Sequence, residues 1–187
     1  MTDISFTSII RPVCSASFDS QTSSIVNNVN VWNIRGAKKG ISAKTDRILD
    51  CTALGLTDGQ TVFLMHITPD LSSNNAVFSY IAGKIRSSVD MTNEYLQALL
   101  VGSKNYSRES VTGYNNFAKF LKDNNIPYSE LKGGENIHKI AYNSVKDEWL
   151  ISNPDIDAFI KRGVINPEKL LKYGFDEVRI NKLDEVV

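Results

Sequence analysis

Apolar strand-forming runs alternate along the chain with amphipathic stretches of helical period. The pattern predicts strands at residues 31–34, 45–56, 61–68, 96–102, 127–133 and 178–180, and a hairpin with its turn at residues 145–147. It predicts helices at residues 75–86, from Ser107, and from Pro154 and Pro167, where proline suits the first turn. Because hairpins are mixed with helices, the predicted fold class is α+β, a mixed, largely antiparallel sheet built from hairpins with helices packed on it.

The helix predicted from Ser107 has the clearest pattern. Serine is a good N-cap residue, and Glu109 places a negative charge in the first turn, where the helix dipole favours it. One apolar stripe follows at helical spacing: Val111, Tyr114, Phe117, Ala118 and Leu121. Such a stripe predicts a face packed on the core and not a cofactor site.

The first thirty residues are polar. They contain seven Ser, three Thr and three Asn, with only scattered apolar residues such as Ile9, Ile10 and Phe18. This composition predicts a polar, poorly ordered N-terminal leader at residues 1–30, followed by a single α/β catalytic-type domain at residues 31–187. A leader for a bacterial secretion machine that needs no signal peptide would have the same composition.

Composition and charge narrow the functional classes. Lys plus Arg equals Asp plus Glu, at 21 each, so charge favours neither nucleic acid nor an anionic membrane as a partner. No apolar run is long enough to span a bilayer, and the opening residues lack the pattern of a secretory signal peptide. With two Cys and two His there is neither a disulfide framework nor a zinc-ligand spacing, so we expect no metal, no cofactor and synthesis in a reducing cytoplasm.

The predicted hairpin around Asp58-Gly59 carries the candidate chemistry. Asp-Gly is a strong signal for a two-residue type I′ turn, which would pair Thr57 with Gln60. Continued along both strands, that register places Cys51 directly opposite His66. Their Cβ atoms would then lie about 4.5–5.5 Å apart on one face of the sheet.

A cysteine beside a histidine can act as a nucleophile. A free thiol has a pKa of about 8.5, and a neighbouring imidazole that takes its proton lowers that pKa and later protonates the leaving group. We therefore expect a depressed thiol pKa at Cys51. The structural alternative is that Cys51 is a small buried apolar residue and His66 a core or surface residue. Cys14 has no histidine near it in sequence, and a free, unimportant thiol is expected there.

At this hairpin the sequence resembles the Cys-His glutamine deamidases typified by the chemoreceptor deamidase CheD and the catalytic domain of cytotoxic necrotizing factor. The shared pattern is a strand-borne cysteine (Cys51), a hairpin, a histidine (His66) followed by a proline (Pro69), and a threonine six residues before the cysteine (Thr45). A strand ending at Gly102, a helix, a strand ending in Gly-Gly and a hairpin continue the resemblance over residues 45–152. The sequence departs from the family at Ile48-Leu49-Asp50-Cys51, where CheD enzymes have Leu-Gly-Ser-Cys, and the family's basic residue after Gly-Gly is not clearly matched.

The resemblance implies a cysteine-dependent protein glutamine deamidase, or a transglutaminase where an amine replaces water. It assigns Cys51 as nucleophile, His66 as base and Thr45 as the residue that orients the imidazole. The expected partner is a protein that bears a reactive glutamine. The departures favour a host protein over a chemoreceptor, and hence a bacterial toxin or effector delivered without a signal peptide. The alternatives are a cysteine peptidase with the same dyad and a non-catalytic protein-binding domain.

Overall fold

A computed structural model of the protein describes residues 8–30, 38–40, 42–102, 107–132, 138–154, 156–157 and 175–176. The predicted elements at residues 31–34, at Pro167 and at residues 178–180 lie outside these ranges. The strands are β1 (Ile9–Pro12), β2 (Lys38–Gly40), β3 (Ser42–Ile48), β4 (Thr52–Thr57), β5 (Val62–Ile67), β6 (Gln97–Gly102), β7 (Tyr128–Lys132), β8 (His138–Asn143), β9 (Glu148–Ser152) and β10 (Phe175–Asp176). The helices are α1 (Ser15–Gln21), α2 (Pro69–Ser73), α3 (Asn75–Ser88) and α4 (Arg108–Asp123).

The described strands form two mixed sheets, which confirms the α+β class and corrects the expectation of one sheet. The four-stranded sheet has the order β1-β9-β8-β3, and the six-stranded sheet has the order β10-β7-β6-β4-β5-β2. In each sheet one neighbouring pair is parallel, β1 with β9 and β6 with β7. The single strand predicted at residues 45–56 is interrupted at residues 49–51, so β3 and β4 belong to different sheets.

The six-stranded sheet lies in the middle of three layers. One of its faces packs on the four-stranded sheet, with a core that includes Ala53, Leu64 and Leu99 on one side and Ile140 and Trp149 on the other. Its opposite face packs on the long helices, with a core that includes Leu54, Met65, Ile81 and Phe117. Because successive side chains of a strand point to opposite faces, the fully buried strands β4, β5 and β6 contribute apolar side chains to both cores.

Helix α4 begins as the sequence predicts. The Ser107 hydroxyl accepts a hydrogen bond from the Ser110 backbone N–H at 3.0 Å, which caps the first turn. The residues of the predicted stripe at positions 114, 117 and 121 are buried, whereas Val111 is exposed. None of the described helices is both long enough and apolar enough to span a membrane.

The N-terminal segment is part of the fold, so the predicted poorly ordered leader is wrong for residues 8–30. Strand β1 pairs with β9, and Ile10 and Val13 are fully buried. Helix α1 follows and buries Phe18. A salt bridge of 2.9 Å from Arg11 to Glu148 fastens the edge of the sheet. The segment has few apolar residues, but Ile10 and Phe18 occupy inward positions of a strand and a helix, and a count of composition cannot detect that placement.

Candidate active site

The β4–β5 hairpin has a longer turn than predicted. Asp58 Oδ1 accepts hydrogen bonds from the backbone N–H groups of Gln60 at 3.0 Å and Thr61 at 2.7 Å, and Gly59 takes a positive φ of 85°. A type I′ turn needs positive φ at both central residues, and Asp58 does not have it. The aspartate side chain instead stabilises a four-residue loop that pairs Thr57 with Val62.

This loop moves the register by two residues. His66 pairs with Ala53, so the predicted direct pairing of Cys51 with His66 is wrong. Because side chains alternate with a period of two, a shift of two residues leaves His66 on the predicted face of the sheet. Cys51 lies immediately before β4, in the segment where the chain passes from the four-stranded sheet to the six-stranded sheet.

A hydrogen bond between the two sheets holds the imidazole of His66. Thr45 Oγ1, on β3 of the four-stranded sheet, lies 2.8 Å from His66 Nδ1. The same hydroxyl donates its single proton to the Val29 carbonyl at 2.7 Å. Thr45 must therefore accept from His66, which assigns the proton to Nδ1 and leaves Nε2 with a lone pair.

Among the described residues His66 Nε2 has no hydrogen-bond partner, although the side chain is only 1% exposed. Buried polar atoms are nearly always paired, so an unpaired imidazole nitrogen needs an explanation. Burial lowers the pKa of His66 to about 4, while the carboxylates of Asp46 and Asp50 act in the opposite direction. The imidazole is therefore neutral at physiological pH and available as a proton acceptor.

Cys51 is buried two residues before Ala53, the strand partner of His66, and its thiol does not bond to the imidazole. The thiol donates to Asp50 Oδ1 at 3.7 Å, and no hydrogen bond joins it to the imidazole. Burial raises the pKa of Cys51 to about 12, and the neighbouring carboxylates of Asp50 and Asp70 add to the effect. The expectation of a depressed thiol pKa is wrong, because burial and carboxylates both disfavour the thiolate. The resting pair is a neutral thiol and a neutral imidazole.

Two residues that sequence reasoning did not assign to the site shape the backbone there. Ser110, in the first turn of α4, donates its hydroxyl to the Asp50 carbonyl at 2.6 Å. Gly102, at the end of β6, has a φ of 132°, and a Cβ atom at this position would collide with the Cys51 carbonyl oxygen. The glycine at the strand end was visible in the sequence, but its approach to Cys51 depends on the tertiary packing.

The other cysteine and histidine lie elsewhere in the fold. Cys14 is at the N-cap of α1 without a side-chain capping bond and is partly exposed. His138 is on β8, opposite Ile48 of β3, and its Nδ1 receives a hydrogen bond of 3.3 Å from the Asn153 amide. Within the described ranges, no group of three or more His, Cys, Asp or Glu residues is placed to hold a metal ion.

Comparison with known proteins does not assign the chain to a family. No family model matches the sequence, and no curated protein matches it significantly. The residues that point to chemistry are Thr45, His66, Cys51 and Asp50.

The buried neutral imidazole predicts a loss of stability in acid. His66 takes up its proton near pH 6.5 when unfolded and near pH 4 when folded, so the unfolded state binds more protons between these values. The stability that neutral His66 contributes is present above pH 6.5 and is lost as the pH falls toward 4. Urea unfolding should show a decrease of about 2 to 3 kcal/mol over this window from this residue.

The matched control for the acid prediction is His66→Asn. The asparagine amide keeps an N–H that can donate to Thr45, but it does not titrate. The variant should therefore show a shallower fall in unfolding free energy between pH 6.5 and 4 than the parent protein. Equal slopes for the two proteins would contradict the assignment of a low pKa to His66.

Proposed function

We propose that the protein is a cysteine-dependent protein glutamine deamidase, with Cys51 as nucleophile, His66 as general base and Thr45 as positioning residue. The observation that carries the proposal is the 2.8 Å hydrogen bond from His66 to Thr45, which leaves a buried Nε2 without a partner among the described residues. The buried thiol of Cys51 lies two residues before Ala53, the strand partner of His66. An orienting partner on one nitrogen and a free lone pair on the other is the arrangement that a catalytic base needs.

The first half of the reaction forms a thioester. His66 Nε2 takes the thiol proton as Cys51 Sγ attacks the carboxamide carbon of a glutamine side chain, which gives a tetrahedral oxyanion. The imidazolium then protonates the departing nitrogen, the C–N bond breaks and ammonia leaves. Because both groups are neutral at rest, the proton moves during the attack, and no preformed thiolate–imidazolium pair is required.

The second half of the reaction releases the product. Water, deprotonated by His66 Nε2, attacks the thioester carbon, the C–S bond breaks, and the thiol recovers its proton from the imidazolium. The substrate leaves with glutamate in place of glutamine. A primary amine in place of water would give a transglutaminated product through the same steps.

Two features support glutamine as the reacting group. The order and spacing of Thr45, Cys51 and His66 resemble the deamidase pattern, and the threonine hydrogen-bonds the histidine although the two lie on different sheets. The acidic residue before the cysteine, Asp50, departs from that pattern. We infer a protein substrate, and a role as a toxin or effector acting on a host protein rests on the resemblance alone.

A non-catalytic binding domain is the second candidate, and one observation favours it. The high thiol pKa and the contact of Cys51 with a carboxylate are what an inert structural cysteine would show. The two candidates differ in whether any substrate is turned over, which product analysis measures directly.

The test is product analysis on a panel of glutamine-bearing proteins, with and without added primary amine. Deamidation should appear in intact mass as replacement of an amide by an acid with release of ammonia and no chain cleavage. Cys14→Ser is the matched control that must retain activity, because this thiol follows β1, at the opposite edge of the four-stranded sheet from the β3 strand that carries Thr45. Cleaved fragments would indicate a peptidase, and binding without a mass change would support the non-catalytic domain.

A further inference from the structure

The thiol of Cys51 has one proton and two candidate acceptors. One is Asp50 Oδ1, which it contacts, and the other is Nε2 of His66, the strand partner of Ala53 two residues after Cys51. His66 Nε2 is buried and unpaired, yet the thiol donates to Asp50 Oδ1 at 3.7 Å. A single S–H cannot donate well to both acceptors, so the contact with Asp50 excludes the bond that the reaction requires. The resting geometry is therefore one step removed from the reactive geometry.

We propose that Asp50 is a positioning residue that holds the Cys51 thiol away from His66 in the resting protein, and that substrate must displace this contact before the dyad forms. The proposal rests on the proposed function, because it assigns the thiol and imidazole to one reaction. We call the contact between Cys51 Sγ and Asp50 Oδ1 the thiol latch.

A hydrogen bond holds the backbone of Asp50, whereas its carboxylate is accessible to a ligand. The carbonyl is held by the Ser110 hydroxyl at 2.6 Å, which ties this segment to the first turn of α4. The side chain of Asp50 is partly exposed, in contrast to the buried side chains of Cys51 and His66. A hydrogen-bond donor on an incoming substrate can therefore take the carboxylate and release the thiol.

Within the part of the chain that the structure describes, the charged groups that act on Cys51 and His66 are carboxylates. Asp50 and Asp70 act on the thiol, and Asp46 and Asp50 act on the imidazole. Removing any of the carboxylates near the thiol will ease its ionisation through charge alone. The thiol latch predicts more than this. Removal of the Asp50 carboxylate must raise the reactivity of Cys51 more than removal of the Asp70 carboxylate does, and the additional increase must require His66.

The experiment measures the rate of iodoacetamide alkylation of Cys51 across a pH series, in full-length protein that carries Cys14→Ser. Asp50→Ala removes the carboxylate and frees the thiol to donate to His66, so we expect alkylation about tenfold faster or more, with its pH midpoint lowered. Asp70→Asn is the matched control, because it removes a neighbouring charge but leaves the latch in place. Its acceleration should be several-fold smaller.

The dependence on His66 is measured by repeating the Asp50 substitution in a His66→Ala background. Without the imidazole the freed thiol has no acceptor, so the gain from Asp50→Ala should fall to the level of Asp70→Asn. A gain that is unchanged in the His66→Ala background would overturn the proposal. So would equal rates for the Asp50→Ala and Asp70→Asn proteins.

A second variant covers the case in which Asp50→Ala fails to fold, as judged by near-UV circular dichroism. Asp50→Asn keeps an oxygen acceptor but removes the charge, so its gain should be smaller than that of alanine and still exceed that of Asp70→Asn. A gain no larger than that of Asp70→Asn would overturn the latch. Alkylation needs no substrate, so this result is separate from the deamidation assay, which tests the proposed function itself.

Discussion

Cys51→Ser and His66→Ala should each reduce ammonia release from a substrate protein by at least about a thousandfold, while the protein stays folded. Serine is close to cysteine in size, but its hydroxyl is a much weaker nucleophile with this base. Alanine at position 66 removes the imidazole lone pair that would take the thiol proton during the attack. Because the two residues act as a unit, the double variant should lose little more than either single variant.

Thr45 offers a matched pair of variants for the same assay. Thr45→Ser keeps a hydroxyl that can donate to the Val29 carbonyl and accept from His66, so most activity should remain. Thr45→Val keeps the shape of the side chain but removes the hydrogen bonds to Val29 and His66, so nothing at position 45 holds the proton on Nδ1. We expect an intermediate loss of activity, about ten- to a hundredfold. Far-UV circular dichroism is the folding control.

The outcome that would contradict the dyad is a folded Cys51→Ser protein that retains activity. Equal activity of the Thr45→Ser and Thr45→Val proteins would remove the threonine from the mechanism but leave the dyad in place. The loss of ammonia release in the Cys51, His66 and Thr45 variants therefore distinguishes the dyad from the positioning residue.

The sequence predicted most of the element types but not how they assemble. The β8–β9 hairpin and the cap of α4 at Ser107 are confirmed because they depend on local signals, namely alternation, turn residues and a capping serine. The strand predicted at residues 45–56 is two strands, because the apolar pattern continues across a break in which the chain changes sheets. A local pattern cannot show that change.

The strand register predicted for the candidate site differs from the register in the structure, where His66 pairs with Ala53. The prediction paired Cys51 with His66 through a two-residue turn, and the capping role of the Asp58 side chain was missed. The error was an even number of residues, so His66 stayed on the predicted face. The thiol's contact with Asp50, and the Ser110 bond to the Asp50 carbonyl, depend on tertiary placement that the sequence does not encode locally.

Trp149 packs directly on Gly55 in the core between the two sheets. Trp149, on β9, is fully buried, and its ring lies where the Cβ of residue 55 would be. Glycine at the centre of β4 therefore makes room for the indole, and the two sheets approach each other across this point. Gly55 matters here for its lack of a side chain, not for its backbone freedom.

Gly55→Ala should destabilise the protein by about 1 to 3 kcal/mol, because a methyl group forces a fully packed ring to move. Trp149→Ala should cost about 3 to 5 kcal/mol by removing the largest side chain from this core. Urea unfolding at constant pH measures both changes. A lower midpoint concentration of urea, with an unchanged dependence of the unfolding free energy on urea, indicates a loss of stability. The dyad lies outside this contact, so thiol reactivity in the folded variants is the check that the effect is confined to stability.

The double variant decides whether the cost of Gly55→Ala arises from the indole. With Trp149 already reduced to alanine, a methyl group at residue 55 enters space that the ring has vacated and fills part of the cavity. The cost of Gly55→Ala should then disappear or change sign, giving a coupling free energy of about 1 kcal/mol or more. Trp149→Phe is the matched control: it removes an indole N–H that has no hydrogen-bond partner but keeps a ring over residue 55, so Gly55→Ala should still be destabilising. A cost of Gly55→Ala that is the same in the Trp149→Ala background as in the parent would show that strand propensity, and not the contact between the sheets, selects glycine at this position.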